Sequence, residues 1–230
     1  MKICAISDMH GEYSFTYIDE DTELLLIAGD VVDIYSQSFM GDSEKWFKKN
    51  FIDMMSTLND SIKKVVMIAG NHDFYLERYH SDVIDLFKEN NIVFLNNSLY
   101  EYESESGQKV TIFGTPYCSV FGKWAYMLPY EKAKKKFAKI PYNVDILLSH
   151  DAPYGVNDII MQDVPWNNHS HIGNKALAEA ILEKKPKWNI HGHIHSASHI
   201  PEKLGETNVV NVSLVDEHYI NVYNPFYFEL

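Results

Sequence analysis

The chain has 230 residues, 46% hydrophobic and 23% charged, which is enough to bury one core and too short for more than two domains. Its net charge of -12 with histidines neutral, and its single arginine, Arg78, argue against a long nucleic-acid partner, whose phosphates need clustered basic residues. No window reaches the roughly 18 to 20 apolar residues of a membrane span.

In chain order, the first residues, "KICAISDMHG" from Lys2, read as a strand that runs directly into polar residues. They lack the longer apolar run and small-residue cleavage site of a signal peptide. The same design recurs in "ELLLIAGDVVD" from Glu23, "KVVMIAGNHD" from Lys64, "VDILLSHDAP" from Val144 and "WNIHGHIHS" from Trp188. Short apolar runs bounded by turn residues predict strands buried on both faces. Helical spacing lies between them. "DSEKWFKKNFIDMMSTL" places Trp46, Phe47, Asn50, Phe51, Met54 and Met55 largely on one face, with Asp42 or Ser43 as the expected cap. Ser81 to Asn91, Tyr130 to Ile140 and Asn174 to Lys185 behave similarly. From Ile92 to Thr115 the pattern becomes a hairpin with a loop around Glu105 to Gln108, and the tail from Asn208 alternates like strands. The expected architecture is α/β: two mixed sheets face to face with helices outside, in one domain over residues 1–230 without repeats or linkers.

The strand ends carry the chemistry. In order they deliver Asp8 and His10, Asp30, Asn71 and His72, His150, then His191, His193 and His195. In open α/β sheets ligands gather beyond the carboxyl ends of strands, so these residues are expected to converge. Extended backbone would point Asp8 with His10, and His193 with His195, in the same direction. Two carboxylates, several imidazoles and an amide oxygen form a mixed nitrogen and oxygen set, better suited to manganese, iron, cobalt, zinc or nickel than to all-oxygen calcium or magnesium sites. The set is large enough for two divalent ions, with Asp30 as the natural bridge. Such ions ionise bound water at neutral pH and stabilise charge on phosphoryl oxygens. His72 is placed to protonate a leaving group, and Asp73 to orient His72.

"DMH", "GD", "GNHD", "SH" and "GHIH", spread in that order over residues 8 to 195, resemble the five blocks of the calcineurin-like metallophosphoesterase superfamily. The resemblance implies a four-layer αββα sandwich. It implies one ion held by Asp8, His10, Asp30 and His195, a second by Asp30, Asn71, His150 and His193, and His72 as proton donor. It allows manganese foremost, with iron, zinc, nickel, cobalt or magnesium as alternatives, and a hydroxide bridging the metals as the attacking group. "GTPYCSVFGKWAY", "SHDAPYGVND" and "NVSLVDEHY" are similar to segments of the small metallophosphodiesterase branch, some members of which cleave 2',3'-cyclic nucleotides.

Other residues read more plainly. His191 and His199 stay outside the ligand set, and His169 with His171 suit a surface loop. Tyr117, Phe121, Trp124 and Tyr126 either pack the core or wall a nucleobase site, for which Trp166 is the better exposed candidate. Lys132 to Lys139 reads as the solvated face of a helix. Cys4 and Cys118 match no metal or disulfide framework and read as core thiols, which points to the reducing cytoplasm. Phosphomonoesterases clamp a doubly charged phosphate with arginines, and "GDVVDI" has none. The preferred function is therefore hydrolysis of a small nucleotide-like phosphodiester. A phosphomonoesterase or protein phosphatase of the same superfamily, and an inactive scaffold, are the alternatives. A serine hydrolase lacks its G-x-S-x-G elbow.

Overall fold

The computed structural model describes residues 1–12, 18–58 and 60–230. Strands β1 (Lys2–Ile6), β2 (Leu24–Ile27), β3 (Lys64–Met67) and β4 (Ile92–Phe94) form a parallel sheet. β5 (Ser98–Glu103) and β6 (Lys109–Thr115) form the expected hairpin, and β7 (Ile146–Ser149) and β8 (Trp188–His191) add to it in parallel. β9 (Glu202–Leu204) and β10 (Thr207–Asn211) complete this second sheet, while β11 (Phe226–Glu229) returns to the first as an antiparallel edge beside β1. The orders are β11-β1-β2-β3-β4 and β5-β6-β7-β8-β10-β9. Ile92–Phe94 thus belongs to the first sheet, and the chain changes sheets between Phe94 and Ser98.

Strand alternation sorts the apolar residues into layers. Ile3, Ala5, Leu24, Leu26, Val66 and Ile68 meet Ile112, Ile146, Leu148, Ile190 and Val210 of the second sheet in the central seam. Cys4, Ile6, Leu25, Ile27, Val65 and Met67 face outward onto Phe47, Phe51, Leu76 and Phe87. Phe113 and Leu147 face outward from the second sheet onto Phe137, Leu177 and Ile181. Helix, sheet, sheet and helix follow in that order, the four-layer αββα sandwich expected from the sequence.

The first helical region differs from its predicted form. It runs as α1 (Met40–Lys45), a π-helical stretch (Trp46–Phe51) and α2 (Ile52–Met55). An i→i+5 register brings Trp46 and Phe51 to the same side, which turns of 3.6 residues would separate. Their rings stack with centroids 5.9 Å apart, and Asn50 is left on the exposed face. Neither Asp42 nor Ser43 caps this helix, because it begins earlier, at Met40; Ser43 Oγ instead donates to the Ser36 carbonyl at 2.7 Å.

α3 (Phe74–Tyr79) follows directly on Asp73, and α4 (Ile84–Glu89) lies beyond a single 3-10 turn. α5 (Tyr130–Phe137) and α6 (Lys175–Lys184) cover the second sheet. Asn174 caps α6 by accepting from the Leu177 amide at 3.1 Å, and its Nδ2 donates to Asp151 Oδ2 at 3.1 Å. No helix among the described residues is long and apolar enough to cross a membrane.

Asn174→Ala removes the cap and a donor to a buried carboxylate together, with an expected cost of about 1–3 kcal/mol in urea unfolding. Asn174→Ser should recover the capping part; equal stability of Asn174→Ala and the parent would rule out this role.

Candidate metal centre

β1, β2, β3, β7 and β8 end on the same edge of the sandwich, and the polar residues that follow them meet there. Asp30 Oδ2 lies 3.2 Å from His150 Nε2, 3.8 Å from His72 Nε2 and 4.0 Å from His10 Nε2. His195 Nε2 is 3.5 Å from Asp8 Oδ1 and 3.4 Å from His10 Nε2, while Asn71 Oδ1 is 3.0 Å from His150 Nε2. Asp8, His10 and His195 form one group of donors, and Asp8, Asp30 and His150 another. His193 stands beside His150, with ring centroids 5.1 Å apart. All seven candidate ligands of the sequence are therefore brought together, with His72 at the same focus.

They do not meet for the reason expected from extended backbone. Asp8, His10, Asp30 and His193 lie beyond their strands in left-handed backbone, with φ of 51, 44, 50 and 71°. Non-glycine residues rarely occupy this region, and its cost is tolerated at functional sites. His193 and His195 accordingly part company, one towards His150 and the other towards Asp8 and His10.

The surrounding contacts aim the donors. His150 Nδ1 donates to the Ala28 carbonyl at 2.8 Å and His195 Nδ1 to the Asp216 carbonyl at 3.0 Å, which leaves each Nε2 facing the centre. Ser213 Oγ donates to Asp8 Oδ2 at 2.5 Å, and the His193 amide to the same oxygen at 3.0 Å. The His72 amide donates to Asp30 Oδ1 at 2.7 Å.

Asp73 acts differently from its predicted role as the orienting partner of His72. Its carboxylate accepts from the amides of Gly70 at 2.8 Å, Val32 at 3.1 Å and Val31 at 3.2 Å, tying the loop after β2 to the loop after β3. Among the described residues no hydrogen bond joins Asp73 to His72. The partner of His72 Nδ1 is Gln37 Oε1. Gln37, Ser213 and Tyr219 are the site residues that sequence reasoning misses; Tyr219 sets its ring edge-on to His10 at 4.8 Å and to His195 at 5.4 Å. Gln37 lies at the end of no apolar run and no local pattern marks it, whereas Ser213 and Tyr219 fall within the segment "NVSLVDEHY" without a role assigned to either.

Burial works against the charge of every group here. It pushes His10 down to about 3 and lowers His72, although Asp30 opposes both shifts. For His150 burial is the largest single influence and lowers it, but Asp30, Asp8 and the Ala28 carbonyl together outweigh burial and hold the imidazole up at about 10. Asp30 in turn is held below the usual carboxylate range, because His150 and His72 outweigh its own desolvation. Burial and the Asp30 charge push Asp73 up to about 7.

The remaining histidines lie outside this cluster. His191 is buried at the end of β8 with Nδ1 against the Gly192 carbonyl, and His199 stacks on Tyr223 at 3.8 Å. His169 is exposed, and His171 pairs with Asp158 at 2.5 Å.

The family model described as calcineurin-like phosphoesterase matches residues 1–197. The chain belongs to this family. Human metallophosphoesterase domain-containing protein 1 is 28% identical over 79% of this chain and 59% of its own length. A UPF0046 protein of Caenorhabditis elegans is 27% identical over 73% of this chain and 62% of its own length. The chain therefore spans less than two thirds of these relatives. Phosphopantetheinyl hydrolase from Mycobacterium tuberculosis shares the fold, with a TM-score of 0.57, 13% identity, and coverage of 95% of this chain and 90% of that one.

The calcineurin-like family implies a pair of divalent metals, and the donors here fit one. His10 and His195 turn bare imidazole edges towards each other, and His10 Nδ1 is buried without a partner among the described residues. Gly70 and Gly192 allow the close approach: a Cβ on Gly70 would overlap the Asp30 carboxylate, and one on Gly192 the Asp8 carboxylate.

Asp30→Asn should lose both metals, measured as metal per chain after loading and desalting; retention of two equivalents would refute the bridging position. Gly192→Ala should displace Asp8 and cost about 1–3 kcal/mol through overpacking of a buried site. Unfolding of the metal-free protein reads that loss without reference to activity.

Proposed function

We propose that the chain is a two-metal phosphodiesterase acting on small nucleotide-like phosphodiesters. In this reading Asp8, His10, Asp30 and His195 hold one ion, and Asp30, Asn71, His150 and His193 the other. Manganese, iron, zinc, nickel, cobalt and magnesium all remain compatible with such a set. When bound, the pair supplies Lewis acidity and an ionised water at neutral pH.

The chain's own residues do the rest. Proton delivery falls to His72, whose Nε2 points towards Asp30. Gln37 Oε1 accepts from Nδ1–H of His72, so a second proton taken up on Nε2 makes the imidazolium that passes that proton to the leaving oxygen and returns to the neutral ring. Trp124 lies against His72 with centroids 4.5 Å apart and shields that face from water. Asp73 holds the two loops that present Asp30 and Asn71, a positioning role.

The observation that carries the diester reading is the lining of the cleft. A cavity of about 450 Å³ opens over the centre, bordered by Asp30, His72, Phe121, Trp124, Trp166 and Tyr219. Among the described residues its lining includes no lysine or arginine. A dianionic monoester gains most from such cations, whereas a monoanionic diester can be held by the metals alone. Arg78 borders a different hollow with Lys123. The exposed rings of Trp166 and Phe121 line this same cleft and offer stacking faces to a nucleobase.

His72→Ala should lower kcat on bis-p-nitrophenyl phosphate by about 10²–10⁴ while two metals remain bound. Unchanged kcat would remove the proton-donor assignment. Trp166→Ala should raise KM for nucleotides by about fivefold or more, consistent with ~1–3 kcal/mol per stacked base, and leave bis-p-nitrophenyl phosphate little changed. Comparison of 2',3'-cyclic and 3',5'-cyclic nucleotides, mononucleotides and phosphopeptides on the manganese-loaded protein tests the substrate class; preference for mononucleotides or phosphopeptides would overturn it.

A further inference from the structure

Cys118 stands in a setting that a core thiol does not require. It is fully buried, and its Sγ and ring nitrogens of His150 and His193 all lie within 4.8 Å of one another. A thiolate at ~2.3 Å and an imidazole at ~2.0 Å from one ion stand up to ~4.3 Å apart, a spacing this trio approaches. The loop carrying the thiol is fixed from several sides. The Cys118 amide donates to the Tyr126 carbonyl at 3.0 Å, and the Ser119 amide donates to Asp151 Oδ2 at 2.8 Å. The Ala125 amide donates to the Asn71 carbonyl at 3.0 Å. The thiol is thus tied through backbone to the immediate surroundings of Asn71 and His150. Its own bond, to the Pro116 carbonyl at 3.5 Å, is weak. Beside it, the His193 ring has no hydrogen-bond partner among the described residues and packs between Phe121 and His150.

We propose that Cys118 is a sulfur donor to the ion held by His150 and His193, and that this half of the centre prefers a thiophilic divalent ion, zinc or cobalt, over manganese or magnesium. The inference rests on the two-metal reading of the site. On binding, the S–H bond breaks, its proton passes to buffer, and the sulfur lone pair forms the bond to the cation. The other thiol, Cys4, lies on β1 in the cluster beneath the helices and has no part in any donor group among the described residues.

Cobalt loading of the whole chain tests this directly. The parent protein should show thiolate-to-cobalt charge-transfer absorption in the near ultraviolet, preserved in Cys4→Ala and lost in Cys118→Ser at equal cobalt content. Zinc affinity of Cys118→Ser should fall about tenfold or more, with manganese affinity within about twofold. Should the Cys118 variants fail to fold, the spectra of the parent and Cys4→Ala decide. Two cobalt ions bound without the band, or a band that survives in Cys118→Ser, would overturn the proposal and leave the two-metal reading intact. Failure to bind cobalt at all would overturn both. The spectrum needs no turnover, so a protein inactive on diesters that still shows the band supports sulfur ligation.

Discussion

The donors of the centre come from two different sheets, and what brings them together is the apolar seam between those sheets. Asp8, His10, Asp30 and Asn71 follow strands of the first sheet; His150, His193 and His195 follow strands of the second. Ile3, Ala5, Leu24, Leu26, Ile146, Leu148 and Ile190 hold the sheets face to face with their carboxyl edges level. Each fully buried Leu or Ile side chain of this kind contributes roughly 1.5–3 kcal/mol. Against that stands the burial of Asp8 and Asp30, each costing several kcal/mol once removed from water. The seam offsets that cost, and the surrounding imidazoles reduce it.

The backbone at the edge is constrained more tightly than the side chains alone would demand. Three amides converge on the Asp73 carboxylate, and in doing so they fix the positions of Asp30 and Asn71 relative to each other. The loop from Cys118 to Tyr126 performs a similar service across the sheets, bonding to the carbonyl of Asn71 and to the side chain of Asp151. A centre whose ligands arrive on separate loops is held to a single geometry only by such cross-ties.

Much of this was legible in the sequence because burial and chemistry change abruptly at the same places. A run such as "LLLIAGD" states both that a strand is covered on two faces and that it ends in a carboxylate, so layers and candidate ligands could be read together. Side-chain direction could not. Asp8, His10, Asp30 and His193 take positive φ in loops bonded to neighbouring strand ends, such as Asp8 to the Gly29 carbonyl and His10 to the Asp30 carbonyl, which a strand template does not anticipate. The π-helical register at Trp46–Phe51 is a packing solution for bulky rings, invisible to a 3.6-residue template. Asp73 and Gln37 show the same limit: adjacency in sequence pointed to an Asp73–His72 pair, whereas the folded loops supply an amide from 35 residues away.

The left-handed conformation of those four donors also narrows how the centre can change over evolutionary time. Aspartate, asparagine, histidine and glycine enter that region at lowest cost, whereas branched or bulky side chains are outliers there. Drift at Asp8, His10, Asp30 and His193 is thereby filtered by the main chain before any coordination preference is tested. Asn71, His150 and His195 carry no such conformational tax. In the proposed two-metal reading, substitutions that retune the cation are therefore least constrained by backbone at those three positions.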